Sequence, residues 1–143
     1  MKAFRMNEAD LLIPSGWKDN SVYAFVATDE NGAGSASLVM VRDLEPQQHE
    51  LISYADQQLV LAAQKLPGYQ LIGRTPLTIG GQPAIQSDFS WHTPDQGSLR
   101  QRQACVKWHN MFLVFTLTAK EPAFAHYEGA WGQVLGSVTL RET

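Results

Sequence analysis

The sequence predicts an α+β fold in which two helices pack on an antiparallel sheet. Three observations support this prediction: strand-like segments come in the order strands, helix, four strands, helix; the connections between them are short; and several connections have hairpin chemistry. Short connections and frequent hairpins favour antiparallel over parallel pairing. The chain has 143 residues, of which 44% are apolar and 17% are charged. This is the size of one domain with a substantial core, so we treat residues 1–143 as a single domain.

Two short extended segments open the chain. Phe4–Met6 and Leu11–Pro14 flank a turn at Asn7–Asp10, and the second segment ends because proline biases the residue before it away from helix. The following loop contains Trp17, which we expect to plug one end of the core.

The next two strands are apolar on both faces. Ser21–Thr28 and Ser35–Arg42 each alternate two sets of apolar or small residues, and Asp29–Gly34 between them supplies residues that tolerate positive φ. This arrangement predicts a hairpin. In an antiparallel sheet one face is usually polar and wet. Either a helix and the remainder of the protein cover the two faces, or a partner covers one of them.

The first helix is predicted from Glu50 to about Leu66. At 100° per residue it has an apolar arc, and beside this arc lies a mixed shoulder. The arc consists of Leu51, Ile52, Ala55, Leu59, Ala62, Ala63 and Leu66, and the shoulder of Tyr54, Gln58, Leu61 and Lys65. One stripe of roughly 100° is enough to pack a helix on a sheet. The shoulder therefore either packs against a second element of the chain or stays free to touch something else.

Four strands and a second helix follow. Pro67-Gly68 ends the first helix. The strands are Leu71–Ile79, Pro83–Trp91, Leu99–Trp108 and Met111–Thr118, joined by turns at Gly80-Gly81, Pro94–Gly97 and His109-Asn110. The last strand is the most apolar and is expected at the sheet centre. The second helix, Pro122 to about Val138, places Phe124, Tyr127, Ala130, Trp131, Val134 and Val138 near one face.

Composition excludes two classes of partner. A net charge of -3 gives no basic surface for nucleic acid. No apolar stretch approaches the roughly 20 residues that span a bilayer, and the start lacks a secretory signal, so we expect no direct membrane insertion. The single cysteine, Cys105, cannot form an internal disulfide, which fits a reducing compartment. We therefore expect a cytoplasmic protein.

Catalytic, metal and cofactor motifs are not found in the sequence. The four histidines are too dispersed for a short metal-ligand spacing. The segment Gly34–Ser37 lacks the second glycine of a nucleophile elbow, and Gly80-Gly81 is flanked by strands rather than opening a helix onto a phosphate. Carboxylates could still pair in space for acid–base work. We predict no catalytic residue, no metal and no cofactor.

Several polar residues lie on segments otherwise suited to burial, namely Ser21, Ser37, Gln58, Gln101 and Gln103. Individually they fit edge positions that face water. Together with the surplus apolar surface they fit a second interpretation, in which the surface binds a hydrophobic helix and also satisfies its hydroxyl or amide groups.

A group of motifs resembles the Eag chaperones of bacterial type VI secretion. The resemblance covers essentially the whole chain, with almost no gaps before Leu66. It rests on Phe4-Arg5-Met6-Asn7-Glu8-Ala9-Asp10-Leu11, Ile13-Pro14-x-x-Trp17-x-Asp19-x-Ser21, Arg42-Asp43, Gln58-Leu59, Leu66-Pro67-Gly68-Tyr69 and Arg102-Gln103. The Ile-Pro-x-x-Trp-x-Asp-x-Ser block combined with the Leu-Pro-Gly helix end is its most specific part.

The resemblance implies a DcrB-like fold related to PsbP-like domains. It also implies a cytoplasmic homodimer that cradles the transmembrane helices of PAAR-domain effectors until they are loaded on the secretion spike. The implied helix-binding groove consists of Val22, Ala24, Ser37, Val39, Val41, Gln58, Ala62, Leu66, Leu99 and Gln103. The chain departs from the family pattern at Ala24, where a branched aliphatic can stand, and at Val41, where a small hydroxyl can. Two alternatives remain open: a small hydrophobic-ligand or lipid-binding module, and a small hydrolase.

Overall fold

A computed structural model describes residues 1–28 and 34–142. The elements are β1 (Lys2–Arg5), β2 (Asp10–Ile13), β3 (Val22–Ala27), β4 (Ala36–Asp43), α1 (Leu51–Lys65), β5 (Gln70–Ile79), β6 (Gln82–Thr93), β7 (Gly97–Trp108), β8 (Met111–Lys120), α2 (Glu121–Phe124), a 3₁₀ turn (Ala125–Tyr127) and α3 (Glu128–Gly136). The predicted turn at Asp29–Gly34 lies, except for Gly34, outside the described residues.

Six strands form one antiparallel sheet in the order β3-β4-β8-β7-β6-β5. Strand β8 is third in this order, which confirms that the most apolar strand lies at the centre. Because β4 pairs with β8, the chain leaves β4 through α1, starts again at the far edge with β5, and returns strand by strand. The predicted α+β class with an antiparallel sheet is confirmed.

The turn between β5 and β6 matches its sequence signal. Gly80 and Gly81 have φ of 57° and 82°. Positive φ at both central residues is the requirement of the tight hairpin turn that suits the twist of the flanking strands.

One face of the sheet is covered by the C-terminal helical segments. Phe124, Tyr127, Trp131 and Leu135 are buried there against β4, β6, β7 and β8. The second helix was predicted as one continuous element, but a 3₁₀ turn divides it. Residues three apart superpose in a 3₁₀ turn, so Phe124 and Tyr127 both face the sheet. The prediction also included Ala130, which is exposed, and omitted Leu135, which is buried.

Helix α1 lies on the opposite face. Its Tyr54 ring stacks on Phe112 with 3.9 Å between centroids, and the Tyr54 hydroxyl donates to Asp43 Oδ2 at 2.9 Å. Of the mixed shoulder, Tyr54 is therefore packed inside the chain, as the internal-packing alternative allows, because this side chain turns toward the sheet. The helix is rotated accordingly, and Ile52 of the predicted arc is 65% exposed.

The N-terminal strands pair with each other and form a separate two-stranded sheet. Trp17, expected to plug the core, is instead exposed and lines an open cleft of about 360 Å³ with Phe4, Leu11 and Ile13. The expectation failed because this small sheet stands beside the six-stranded sheet and does not extend its core.

Candidate functional site

Strand register places the seven predicted strand residues of the groove on one face of the large sheet. Val22 is opposite Val41, Ala24 is opposite Val39, and Val39 is followed across the sheet by Thr116 and Gln103. Directly opposed residues in antiparallel strands point to the same face. Ser37 and Leu99 occupy the same face by alternation along β4 and β7.

Helix α1 crosses this face at one side. Its Asp56 accepts from Arg74 of β5 at 2.6 Å, whereas Tyr54 contacts β4 and β8. The Tyr54 side of the helix therefore points toward β8 and β4. Gln58 and Leu61 lie within about 40° of Tyr54 around the helix axis, so they share that side.

Burial falls steadily from the covered strands to the β3 edge. Beneath α1, Phe89 and Cys105 are 1% and 2% exposed, whereas Val22 and Val26 on β3 are 55% and 69% exposed. We call the uncovered part of this face the open strip. It consists of Val22, Ala24, Val26, Ser37, Val39, Val41, Thr116 and Thr118. Helix α1 forms its wall.

The shoulder of α1 is left open toward this strip. Leu61 is 37% exposed and Lys65 is exposed. Among the described residues, no second element buries this shoulder, so the alternative of internal packing applies to Tyr54 alone.

Leu66 and Leu99 belong to the far end of the groove, where α1 stops. The N–H of His92 on β6 donates to Pro67 O at 2.8 Å, which ties the end of α1 to β6. Leu99 on β7 is the cross-strand partner of Trp91 on β6. Leu99 is only 6% exposed. It therefore supports the end of the groove from within and offers little contact area of its own. Ala62 on α1 and Leu66, the residue that follows the helix, are half-buried.

The exposed or half-exposed residues of this face that the predicted set lacks include Val26, Gln101, Thr116 and Thr118. The register aligns Ser37 with Thr118 and Gln101, and Val39 with Thr116 and Gln103. The threonines alternate with Phe115 and Leu117 along β8. The alternation is visible in the sequence, but the prediction of the most apolar and central strand assigned the threonines no role.

The open strip carries no ionisable side chain among its eight residues. Its polar groups are the hydroxyls of Ser37, Thr116 and Thr118, with the amides of Gln58 and Gln103 nearby. The buried Cys105 lies under α1, and burial raises the pKa of its thiol to about 12, so the thiol stays neutral. In residues 1–28 and 34–142 no group of three or more His, Cys, Asp or Glu side chains is placed to hold a metal. The same residues include no helix long and apolar enough to cross a bilayer.

Several motif residues brace the scaffold around this surface. Asp19 accepts hydrogen bonds from the Ser21 N–H at 2.9 Å, from the Ser21 hydroxyl and from the Arg42 guanidinium. These bonds tie the loop before β3 to β4. The Trp-x-Asp-x-Ser and Arg-Asp motifs therefore meet in one network that positions the two strands of the open strip.

Asp19 should make folding stability depend on pH. The hydrogen bond from the Ser21 hydroxyl lowers its pKa from 3.8 to about 2; burial opposes this shift, and the Ser21 N–H and Arg42 reinforce it. A folded-state pKa below the unfolded value favours folding when the group is ionised. This stabilisation is complete above about pH 4 and is lost as pH falls toward 2. Urea unfolding across this range should show a shallower decline for Asp19→Asn than for the wild type, and parallel declines would contradict the role.

A protein-family model described as DcrB matches residues 8–137. The protein named Effector EagT6 from Pseudomonas aeruginosa is 32% identical over 143 residues, which is 100% of this chain and 99% of the relative. The crystal structure of a Pseudomonas aeruginosa protein of unknown function superposes with a TM-score of 0.85 at 32% identity, over 100% of this chain and 99% of that one.

Two more distant structures share the fold alone. LpqN of Mycobacterium tuberculosis, described as involved in cell envelope biogenesis, has a TM-score of 0.56 at 14% identity and 87% coverage of both chains. The cyanobacterial PsbP of Synechocystis sp. PCC 6803 has a TM-score of 0.54 at 12% identity, covering 95% of this chain and 89% of that one. The DcrB-like and PsbP-like fold expectation is thus confirmed. With a family match over most of its length and a full-length relative at 32% identity, the chain belongs to the Eag family of DcrB-like proteins.

Proposed function

We propose that this protein is a cytoplasmic chaperone of type VI secretion effectors and that it works as a homodimer. Its client is a PAAR-domain effector, and it shields the N-terminal transmembrane helices of that effector until the effector is loaded on the secretion spike. One observation carries the proposal. An apolar strip with interspersed hydroxyls lies open between α1 and the β3 edge, in a chain of the Eag family.

The dimensions of the strip suit a helix. Three strands spaced about 4.8 Å apart, with their side chains, give a floor as wide as the roughly 10 Å diameter of an α-helix. The α1 side bearing Gln58 and Leu61 would contact the flank of such a guest. Small-molecule sites, in contrast, are concave and enclose most of their ligand. The open shape of the strip thus favours a guest helix over a lipid or small ligand.

The apolar area is large enough to matter. An isolated helix of about 20 apolar residues is an aggregation hazard in water. Burying about 1,000 Å² of its surface gives a gross gain of about 25 kcal/mol, from which the costs of association and ordering subtract most. The strip can thus stabilise a guest without covalent chemistry, and the proposal assigns no catalysis and no cofactor.

The polar groups of the site would supply selectivity. Across the sheet, Ser37 aligns with Thr118 and Gln101 in one row and Thr116 aligns with Gln103 in the next. Gln58 adds an amide from α1. A polar group left without a partner in a dry interface costs about 1–3 kcal/mol. A guest helix with serine, threonine or amide side chains opposite these rows would be preferred over a purely aliphatic one.

Co-expression tests the proposal directly. The chain is expressed with a peptide comprising the N-terminal apolar helices of a PAAR-domain effector, and the soluble fraction is examined by affinity capture and native mass spectrometry. We expect a soluble complex, whereas the peptide expressed alone should be insoluble. Equal insolubility of the peptide with and without the chain would overturn the proposal. A bound lipid in place of peptide would favour the ligand-binding alternative.

A further inference from the structure

Two lysines border the open strip at the end where α1 stops. Lys120 lies on the face of the strip, because it follows Thr118 by alternation along β8. Lys65 lies about 20° from Tyr54 around the axis of α1, so it is on the side of the helix that faces the strip. Both lysines are exposed, and among the residues that the structure describes neither forms a hydrogen bond or an ion pair. We call this the lysine end.

The other end of the strip is acidic. Asp43 ends β4 on the same face, where its carboxylate accepts from the Tyr54 hydroxyl. Glu50 is exposed just before α1 begins. Lys107 of β7 also reaches this end, where its ammonium donates to the carbonyl of His49. The uncharged strip therefore runs from a basic end to an acidic end.

The distance between the two ends suits a membrane-spanning helix. Lys120 lies one residue beyond Ala119, the cross-strand partner of Ala36, and Asp43 is the last residue of β4. The two charged positions are thus about 26 Å apart along the strands. A helix of about 17 residues has this length, which is the lower limit for crossing a bilayer. The residues that flank such a helix would lie beside the charges.

The lysine end also has more donors than acceptors. The Tyr69 hydroxyl and the Trp91 indole N–H are buried there, and neither has an acceptor among the described residues. Trp91 is the cross-strand partner of Leu99, and the Tyr69 ring contacts Phe89. Burial raises the pKa of Tyr69, so its hydroxyl keeps its proton. Buried donors without acceptors cost free energy, which favours a negatively charged partner at this end.

Structural roles do not account for both lysines. Lys65 is in the last turn of α1, where a cation offsets the helix dipole. Lys120 is on a strand and has no such role. Its neighbour Glu121 begins α2, which packs on the opposite face, and Asp95 lies in the exposed turn between β6 and β7. No carboxylate of the described residues pairs with either lysine, so the counterion can come from a guest.

We propose that the lysine end binds a carboxylate that borders the apolar span of the guest helix, and that this contact sets the direction in which the guest lies. This step rests on the proposed function. The preferred guest is an apolar helix of about 17 residues with aspartate or glutamate at one flank. If the guest lay the other way, its carboxylate would face Asp43 and Glu50, and like charges repel.

Peptide binding to the full chain tests the preference. Three fluorescent peptides, kept soluble in mild non-ionic detergent, share one apolar span of about 17 residues. They differ only in the residues after it, which are two aspartates, two glutamines or two lysines. We expect the aspartate peptide to bind at least about five-fold more tightly than the glutamine peptide at low salt, and the difference to shrink at high salt.

Charge reversal at the lysine end supplies the matched variants. Lys65→Glu/Lys120→Glu should bind the lysine peptide most tightly. Lys2→Glu/Arg141→Glu makes the same change of net charge on exposed residues outside the strip and should keep the wild-type order. Equal reversal in both variants would overturn the site. If all three peptides bind the wild type equally, only this inference fails; if none binds, the proposed function fails with it.

Photo-cross-linking tests the direction. The aspartate peptide carries benzoylphenylalanine beside its aspartates, and mass spectrometry identifies the cross-linked segment of the chain. We expect cross-links to the start of β7 and the end of β8, near Leu99 and Lys120. Cross-links near Asp43, or an equal division between the two ends, would overturn the assigned direction.

Discussion

A Val39→Asp variant is expected to fold normally and to lose at least about 100-fold in affinity for an apolar guest helix. Val39 is half-exposed at the middle of the open strip, between Ala24 and Thr116 on the neighbouring strands. In the free protein the new carboxylate reaches water, so the fold tolerates it. Under a bound helix the carboxylate would be buried without a partner, and an uncompensated buried charge costs about 3–5 kcal/mol.

Capture of a fluorescent apolar helix peptide, kept soluble in mild detergent, measures this loss. Val60→Asp is the matched control, because Val60 is 55% exposed on α1 outside the groove. It should bind like the wild type. If Val39→Asp and Val60→Asp bind equally well, the open strip is not the helix-binding surface.

An Asp88→Ala variant is expected to lose about 3–5 kcal/mol of folding stability. Asp88 is 8% exposed, accepts from Arg102 Nε at 2.6 Å and lies 3.5 Å from Arg100. Both guanidiniums stack on the Phe124 ring, at 4.7 and 5.2 Å from its centroid. Without the carboxylate, the largely buried Arg100 loses its counterion, and Arg102 keeps only the more exposed Glu128 at 3.6 Å. Domains of this size have about 5–15 kcal/mol in total, so the loss is a large fraction.

Urea denaturation followed by tryptophan fluorescence measures this loss. Asp10→Ala removes the carboxylate of an exposed ion pair with Arg5 and should cost less than about 1 kcal/mol. Adding Arg100→Leu to Asp88→Ala should restore part of the stability, because it removes the guanidinium whose ion pair with Asp88 is lost, whereas Arg102 keeps Glu128. A loss for Asp88→Ala no greater than that for Asp10→Ala would contradict the role of this network.

Local signals in the sequence were sufficient to predict the helices and strands and to recognise the family. Glycine pairs, prolines and apolar repeats act within a few residues, so the β5–β6 hairpin, the extent of α1 and the strand segments followed from the sequence. The family resemblance supplied the ten groove residues, and the register places the seven strand members on one face. Their role in helix binding stays a prediction.

The tertiary structure decided three features: the rotation of α1 about its axis, the exposure of Trp17 and the division of the second helix. Each depends on residues distant in the chain: Tyr54 on Phe112 and Asp43, and Tyr127 on the sheet it covers. The position of the open strip was also decided by the tertiary structure. The sequence established that β3 and β4 are apolar on both faces, but it did not show which face each helix would cover. Coverage depends on strand order, and strand order is set by pairing between segments more than 60 residues apart, such as β4 with β8. Periodicity within a strand carries no information about that pairing.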